Sequence, residues 1–158
     1  IAAAGETKSV VGFCYRFNPG VAEALKLSLK EWRFRARDDL LARYGPHVAE
    51  IMGSHVVDLA LWALGPAGEV ALKTDGARLT GTIWHHAGLS RYDMDMSIGP
   101  RVSLLSRIPL PGDNSMYLEE MRAWLTWLEG GERDPRLASL EEGLETMRVI
   151  EKVRGGVM

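Results

Sequence analysis

Polar and apolar positions change their period several times along this chain, and each change marks an element. Trp32, Phe34 and Ala36 alternate strictly with Arg33, Arg35 and Arg37, the pattern of a strand with one dry face and one wet face. Val10, Val11, Phe13, Tyr15 and Phe17, with Gly12 among them, make Ser9 to Phe17 read as a buried strand. Asn18-Pro19-Gly20 breaks it, and Asn18 before Pro19 is a helix start. That helix is expected to reach about Lys30, with Val21, Ala24, Leu25 and Leu29 inward. Ile1 to Gly5 reads as the frayed end of another helix. Leu40 to Glu50, interrupted by Gly45-Pro46, fits neither period.

The densest apolar stretch follows. Six apolar residues run from Leu59 to Leu64, and Gly65-Pro66 stops them. A helix apolar all round belongs inside a protein. Its polar groups, Ser54, His55 and Asp58, stand at the front end. His55 and Asp58 are three residues apart and share one helix face near the positive end of the dipole. Such residues either cap the helix and satisfy the core, or face a cavity. Spacing leaves both open.

After Glu69 the chain reads as consecutive strands at Val70–Leu72, Thr80–His86, Arg91–Ser97 and Arg101–Ile108, with turns at Asp75-Gly76, Gly88 and Gly99-Pro100. Met116 to Glu129 is amphipathic, with Tyr117, Met121, Trp124, Leu125 and Leu128 on one face. Ser139 and Glu142 form a capping box for a last helix striped by Leu140, Leu144, Met147, Ile150 and Val153. Strands in a run followed by helices in a run predict an α+β fold. The expected object is a mostly antiparallel, open-faced sheet with helices packed on one face.

A chain of 158 residues can bury a core as one domain. A net charge of −2 argues against nucleic-acid binding, since no basic surplus exists to displace counterions. The single cysteine, Cys14, excludes an internal disulfide and suits a reducing cytoplasm. No apolar run approaches a membrane span. The chain opens at Ile1 in mid-pattern and reads as a fragment.

Three stretches carry a resemblance to a known family. Gly53-Ser54-His55-Val56-Val57-Asp58-Leu59, closing at Gly65, is similar to the G-x-H-x-x-D helix of the Gfo/Idh/MocA family of NAD(P)-dependent oxidoreductases. Val11-Gly12-Phe13-Cys14-Tyr15-Arg16-Phe17-Asn18-Pro19 resembles the strand that opens that family's second domain. Met116 to Glu129 and Ser139 to Val153 resemble its closing helices. The resemblance implies the C-terminal domain, built like that of glyceraldehyde-3-phosphate dehydrogenase. Residues 1–158 would then form one substrate and oligomerisation domain, without the N-terminal Rossmann domain. No G-x-G-x-x-G and no Glu-Lys-Pro occurs in this sequence.

What the resemblance implies for chemistry is specific. NAD or NADP would be bound mainly by the absent domain, with no cofactor expected on this chain alone. The substrate would be a sugar, a polyol or a related hydroxy compound. His55 takes the position of the acid/base that moves a proton at the substrate's hydroxyl or carbonyl. Tyr15 and Arg16 stand where the family lines its substrate pocket. Neighbours on a strand face opposite ways, so Tyr15 is the expected contact and Arg16 is expected to be tied to a helix end; an aromatic satisfied in the core is the alternative for Tyr15. Asp58 is a further pocket candidate that either orients His55 or caps the helix. Many relatives carry an aspartate four residues before the histidine, where this chain has Ile51, with Glu50 one step off. A homodimer or tetramer through the sheet face is expected. The competing reading is a non-catalytic ligand-binding or dimerisation module on the same fold.

The other candidates read as structural. His85 and His86 point opposite ways on a strand and cannot easily share an ion, so no metal site is expected. His47 reads as a loop residue, and Asp93 and Asp95 as a solvated pair on one face.

Overall fold

The computed structural model describes residues 8–155; the expected helix end at residues 1–5 lies outside the described residues. A six-stranded sheet forms the body, in the spatial order β2-β3-β4-β1-β5-β6. Its strands are β1 (Glu31–Asp39), β2 (Ala67–Thr74), β3 (Arg78–His85), β4 (Gly88–Asp95), β5 (Ser97–Leu105) and β6 (Ile108–Pro109). Among the described residues only β1 and β4 run parallel, and every other strand pair is antiparallel. The helices are α1 (Pro19–Lys26), α2 (Leu41–Tyr44), α3 (Val48–Leu64), α4 (Ser115–Leu128) and α5 (Leu140–Gly155). The fold is mixed α+β, as the order of elements predicts.

The alternation in β1 does what its pattern requires. Trp32 and Phe34 are buried, and their partners across the ladder, Ser90 and Tyr92, are buried with them. On the opposite face Arg33 lies beside Arg91, and Arg35 beside Asp93. Helices α3 and α5 pack together, α3 against β2, β3 and β4, and α5 against β2. Leu59, Val57 and Ala60 of α3 are fully buried; a leucine so placed contributes about 1.5–3 kcal/mol. One glycine sets the depth of this packing. A Cβ at Gly53 would lie 2.7 Å from Leu79 Cδ2, so the bare backbone there lets α3 settle onto β3 two residues before His55.

Several expectations need correction. Ser9 to Phe17 is not a strand. Val11 makes one isolated bridge to Ala138, and Cys14–Phe17 forms a 3-10 turn. The segment is wedged between α3 and α4, and Phe13 to Phe17 are buried without a break. Helix α1 begins as expected, with the Asn18 side chain accepting from the Gly20 amide at 3.0 Å. It ends at Lys26, ahead of Ser28 at φ 49°. Gly99-Pro100 is no turn; it is a cis peptide inside β5. Met96 crosses the end of β1 instead, its carbonyl accepting from the amides of Leu40 and Leu41.

The last two helices show apolar faces that the sequence pattern would bury. Tyr117, Met121, Leu125 and Leu128 of α4 are exposed, as are Leu140, Leu144 and Met147 of α5. The buried face of α5 is formed by Gly143, Thr146, Val149, Ile150 and Val153. Its capping box is present: Ser139 N–H donates to Glu142 at 2.7 Å, and Glu142 N–H to Ser139 Oγ at 3.2 Å.

Candidate active site

His55 lies two turns inside α3, because the helix begins at Val48 rather than near Gly53. The helix dipole, which acts within the first turn, therefore counts for less than the spacing suggested. Two aromatic rings from the preceding turn hold the imidazole edge-on. Phe13 lies 5.8 Å away with the planes at 86°, and Tyr15 5.6 Å away at 88°. The imidazole Nδ1 is buried and has no hydrogen-bond partner. An orphaned buried polar atom costs about 1–3 kcal/mol, and such costs call for an explanation. Burial lowers the His55 pKa from its ordinary 6.5, since the imidazolium would lose hydration. The ring is thus neutral at pH 7 and free to accept a proton.

Ile51, at the place where the resemblance leads one to expect an aspartate, is exposed. Glu50 does not substitute for it through a distorted backbone, because α3 is helical throughout this stretch. Its carboxylate lies 3.7 Å from His47 Nδ1.

Tyr15 is buried, and its hydroxyl lies beside Arg101 and near Asp38; burial raises its pKa and the Arg101 charge opposes that rise. These residues, with Met52 and Val56 of α3 and Ser103 of β5, line a crevice at the end of the sheet. Tyr15 therefore connects the imidazole to an open space. Neither Arg101 nor Asp38 carried a sequence signal, since β5 reaches this corner only by crossing over β1.

Arg16 and Asp58 are brought together, on a hollow of about 160 Å³ that they line with Leu61, Trp62 and Glu142, separate from the crevice beside Tyr15. Arg16 donates to both carboxylate oxygens of Asp58, at 2.8 and 2.5 Å, and to Glu142 at 3.0 Å. Both side chains of the pair are 1% exposed. Burial opposes the Arg16 charge, yet its bonds to Asp58 and Glu142 hold the guanidinium pKa above its ordinary value. Arg16 also lies over the Trp62 ring at 5.4 Å. These bonds brace the turn before α1 against α3 and the first turn of α5, in keeping with the structural role expected for Arg16. Asp58 caps nothing, because it is in mid-helix.

Two groups from α4 complete the surroundings and were not foreseen. Glu120 is half-buried against the backbone of Phe13, and burial pushes its pKa up to about 7. Tyr117 interacts with Cys14, and burial pushes its pKa up to about 12. The Cys14 thiol is buried and raised to about 11, which removes it as a nucleophile.

The remaining candidates are structural. His85 Nδ1 donates to Gly65 O at 2.9 Å, since a carbonyl only accepts. Its Nε2 then accepts from Ser90 Oγ at 2.8 Å, and Ser90 accepts from Tyr92 OH at 2.8 Å. Asp93 and Asp95 are not simply solvated: Asp93 binds Arg37 through both oxygens, and Asp95 pairs with Arg78. Among the described residues, no three His, Cys, Asp or Glu side chains gather as a metal site.

The fold matches the C-terminal domain of Gfo/Idh/MocA-type dehydrogenases. No family model matches the sequence, and no curated protein matches it. The likeness comes from solved structures. The WlbA (WbpB) dehydrogenase from Thermus thermophilus, in complex with NAD and α-ketoglutarate, superposes with a TM-score of 0.70 at 14% identity, over 94% of this chain and 56% of that one. The UDP-N-acetylglucosamine 3-dehydrogenase GnnA from Acidithiobacillus ferrooxidans gives 0.71 at 12% identity, over 94% and 61%. A putative myo-inositol dehydrogenase from Sinorhizobium meliloti gives 0.60 at 17%, over 94% and 62%. This chain spans between half and two thirds of the length of these relatives.

Proposed function

We propose that this chain is the substrate-side domain of an NAD(P)-dependent oxidoreductase acting on a sugar, a polyol or a related hydroxy compound. The observation that carries this reading is the half-buried, neutral imidazole of His55, held between Phe13 and Tyr15 with Nδ1 unpaired. In alcohol oxidation the imidazole would accept the hydroxyl proton of the substrate, and in reduction it would return that proton. The nicotinamide supplies the hydride chemistry from a separate nucleotide-binding domain. Tyr15 borders the substrate, and Arg16 with Asp58 hold its turn in place without touching the ligand. The solved relatives, one with NAD and α-ketoglutarate and another with NAD and UDP-GlcNAcA, support the cofactor and the substrate class.

The protein works in the cytoplasm as a homodimer or tetramer through the outer sheet face. Free Cys14 supports that compartment, and no helix among the described residues is long and apolar enough to cross a membrane. The open row of Arg33, Arg35 and Arg91 beside Asp93 and Glu31 supports self-association by paired charges. Ile51 favours a second reading, in which the same pocket binds a ligand without chemistry.

The reading frame ahead of residue 1 tests the assignment. A strand leading into G-x-G-x-x-G, followed by a Glu-Lys-Pro motif, is expected. A frame with neither, in a protein that fails to bind NAD or NADP, overturns it.

A further inference from the structure

We infer that the crevice beside Tyr15 is a carboxylate subsite, with Arg101 as its anchor. This rests on Tyr15 and His55 facing substrate, and it narrows the ligand to a hydroxy acid such as a sugar acid. Three features of the crevice carry the inference: its charge, its preorganisation and its size.

Two arginines border the space, but only one is available to a ligand. Arg37 is committed to Asp93, which it holds at 3.1 and 3.2 Å. Arg101 lies on the crevice beside the Tyr15 hydroxyl, to which it donates, with its head half exposed. Its Nη1 donates to Gly112 O at 3.2 Å, and its Nε lies 3.5 Å from Asp38. At that distance Asp38 positions the guanidinium while leaving its charge incompletely neutralised. A guanidinium has five donors in a planar fork matched to a carboxylate, and the Gly112 carbonyl takes one of them.

The pose of Arg101 is built in. A Cβ at Gly112 would lie 2.1 Å from Arg101 Nη2, so any side chain there would push the head out of the crevice. The wall opposite is Met52, Val56, Met94 and Met96, an apolar surround that strengthens a charged hydrogen bond.

Size then decides which anion fits. The free space is about 30 Å³, room for roughly two waters. A carboxylate fits there, while a sugar ring or a nucleotide does not.

The experiment titrates this chain with D-glucuronate and, separately, with neutral D-glucose, following backbone amide resonances. Glucuronate is expected to shift Tyr15, Val102 and Ser103 saturably, and glucose is not. Arg101→Gln is expected to weaken glucuronate binding by roughly tenfold or more, and Arg101→Lys to retain part of it. Arg101 is half exposed, so an unchanged melting temperature serves as the folding control. Equal shifts from both sugars, no saturable shift, or full binding by Arg101→Gln overturns the subsite. Because no hydride transfer is measured, failure here leaves the acid–base reading of His55 intact, and loss of that reading leaves a glucuronate response unexplained by catalysis but still specific to Arg101.

Discussion

Replacing Arg16 by methionine keeps most of the side-chain volume and removes the charge. It leaves Asp58, at 1% side-chain exposure, without either of the bonds at 2.8 and 2.5 Å that now satisfy it. Breaking one half of a buried pair costs about 3–5 kcal/mol, because the surviving charge is stranded. That is about a fifth or more of the stability of a typical domain. At about 2–4 °C per kcal/mol for a chain of this length, the melting temperature should fall by roughly 10 °C. Urea unfolding followed by tryptophan fluorescence reports it directly, since Trp62 packs on Arg16.

The pH dependence of that variant has a definite sign. Without Arg16, burial raises the Asp58 pKa above its unfolded value. Its contribution is therefore intact below the unfolded pKa and is lost as pH rises through the folded one. Arg16→Met should be most stable in mild acid and weaken toward neutrality more steeply than the parent, in which Arg16 opposes the rise that burial gives Asp58. The double variant Arg16→Met/Asp58→Leu should recover much of the loss, because no buried charge remains. A cost near 1 kcal/mol, the value of an exposed pair, or a double variant as unstable as the sum of the singles, would refute the brace.

Two further outcomes follow from the geometry. Burial lowers the His85 pKa from 6.5, so its contribution to stability is present above 6.5 and lost as pH falls through the lower folded value; His85→Leu should be less stable at pH 7 and should flatten the melting-temperature loss on acidification, and an unchanged acid slope would contradict the relay to Ser90 and Tyr92. Arg35→Glu on the outer face should shift the protein toward the monomer on size exclusion, and an elution position unaltered by this charge reversal would remove the sheet face as the interface.

The parts of the fold legible in the sequence were those decided locally. The strict alternation around Trp32 marked β1, Asn18-Pro19 marked the start of α1, and Ser139 with Glu142 marked the start of α5. Long-range placement decided the rest. Phe13, Tyr15 and Phe17 alternate as in a strand, but α3 and α4 bury the intervening residues too, so a turn satisfies the same pattern. The placement of β5 on the far side of β1 from β4 depends on the crossing at Met96, which no turn signal announces. The apolar faces of α4 and α5 were readable as faces, though not as exposed ones.

The site was legible to a similar degree. His55 and Tyr15 were chosen from the family resemblance, since spacing alone left His55 open, and the structure brings their rings together. Arg16 was readable as a residue tied to a helix end, but its pairing with Asp58 was not, because a charged pair 42 residues apart in sequence carries no sign that its members meet. Arg101 and Glu120 gave no signal, since their roles arise from what the fold sets beside them.

The turnover of the complete polypeptide, nucleotide-binding domain included, with His55 and with His55→Ala, tests the central claim most directly. Loss of kcat by roughly 10²-fold or more, together with loss of the pH limb that the imidazole sets, is the predicted result. Turnover and pH profile unchanged by the substitution would contradict it.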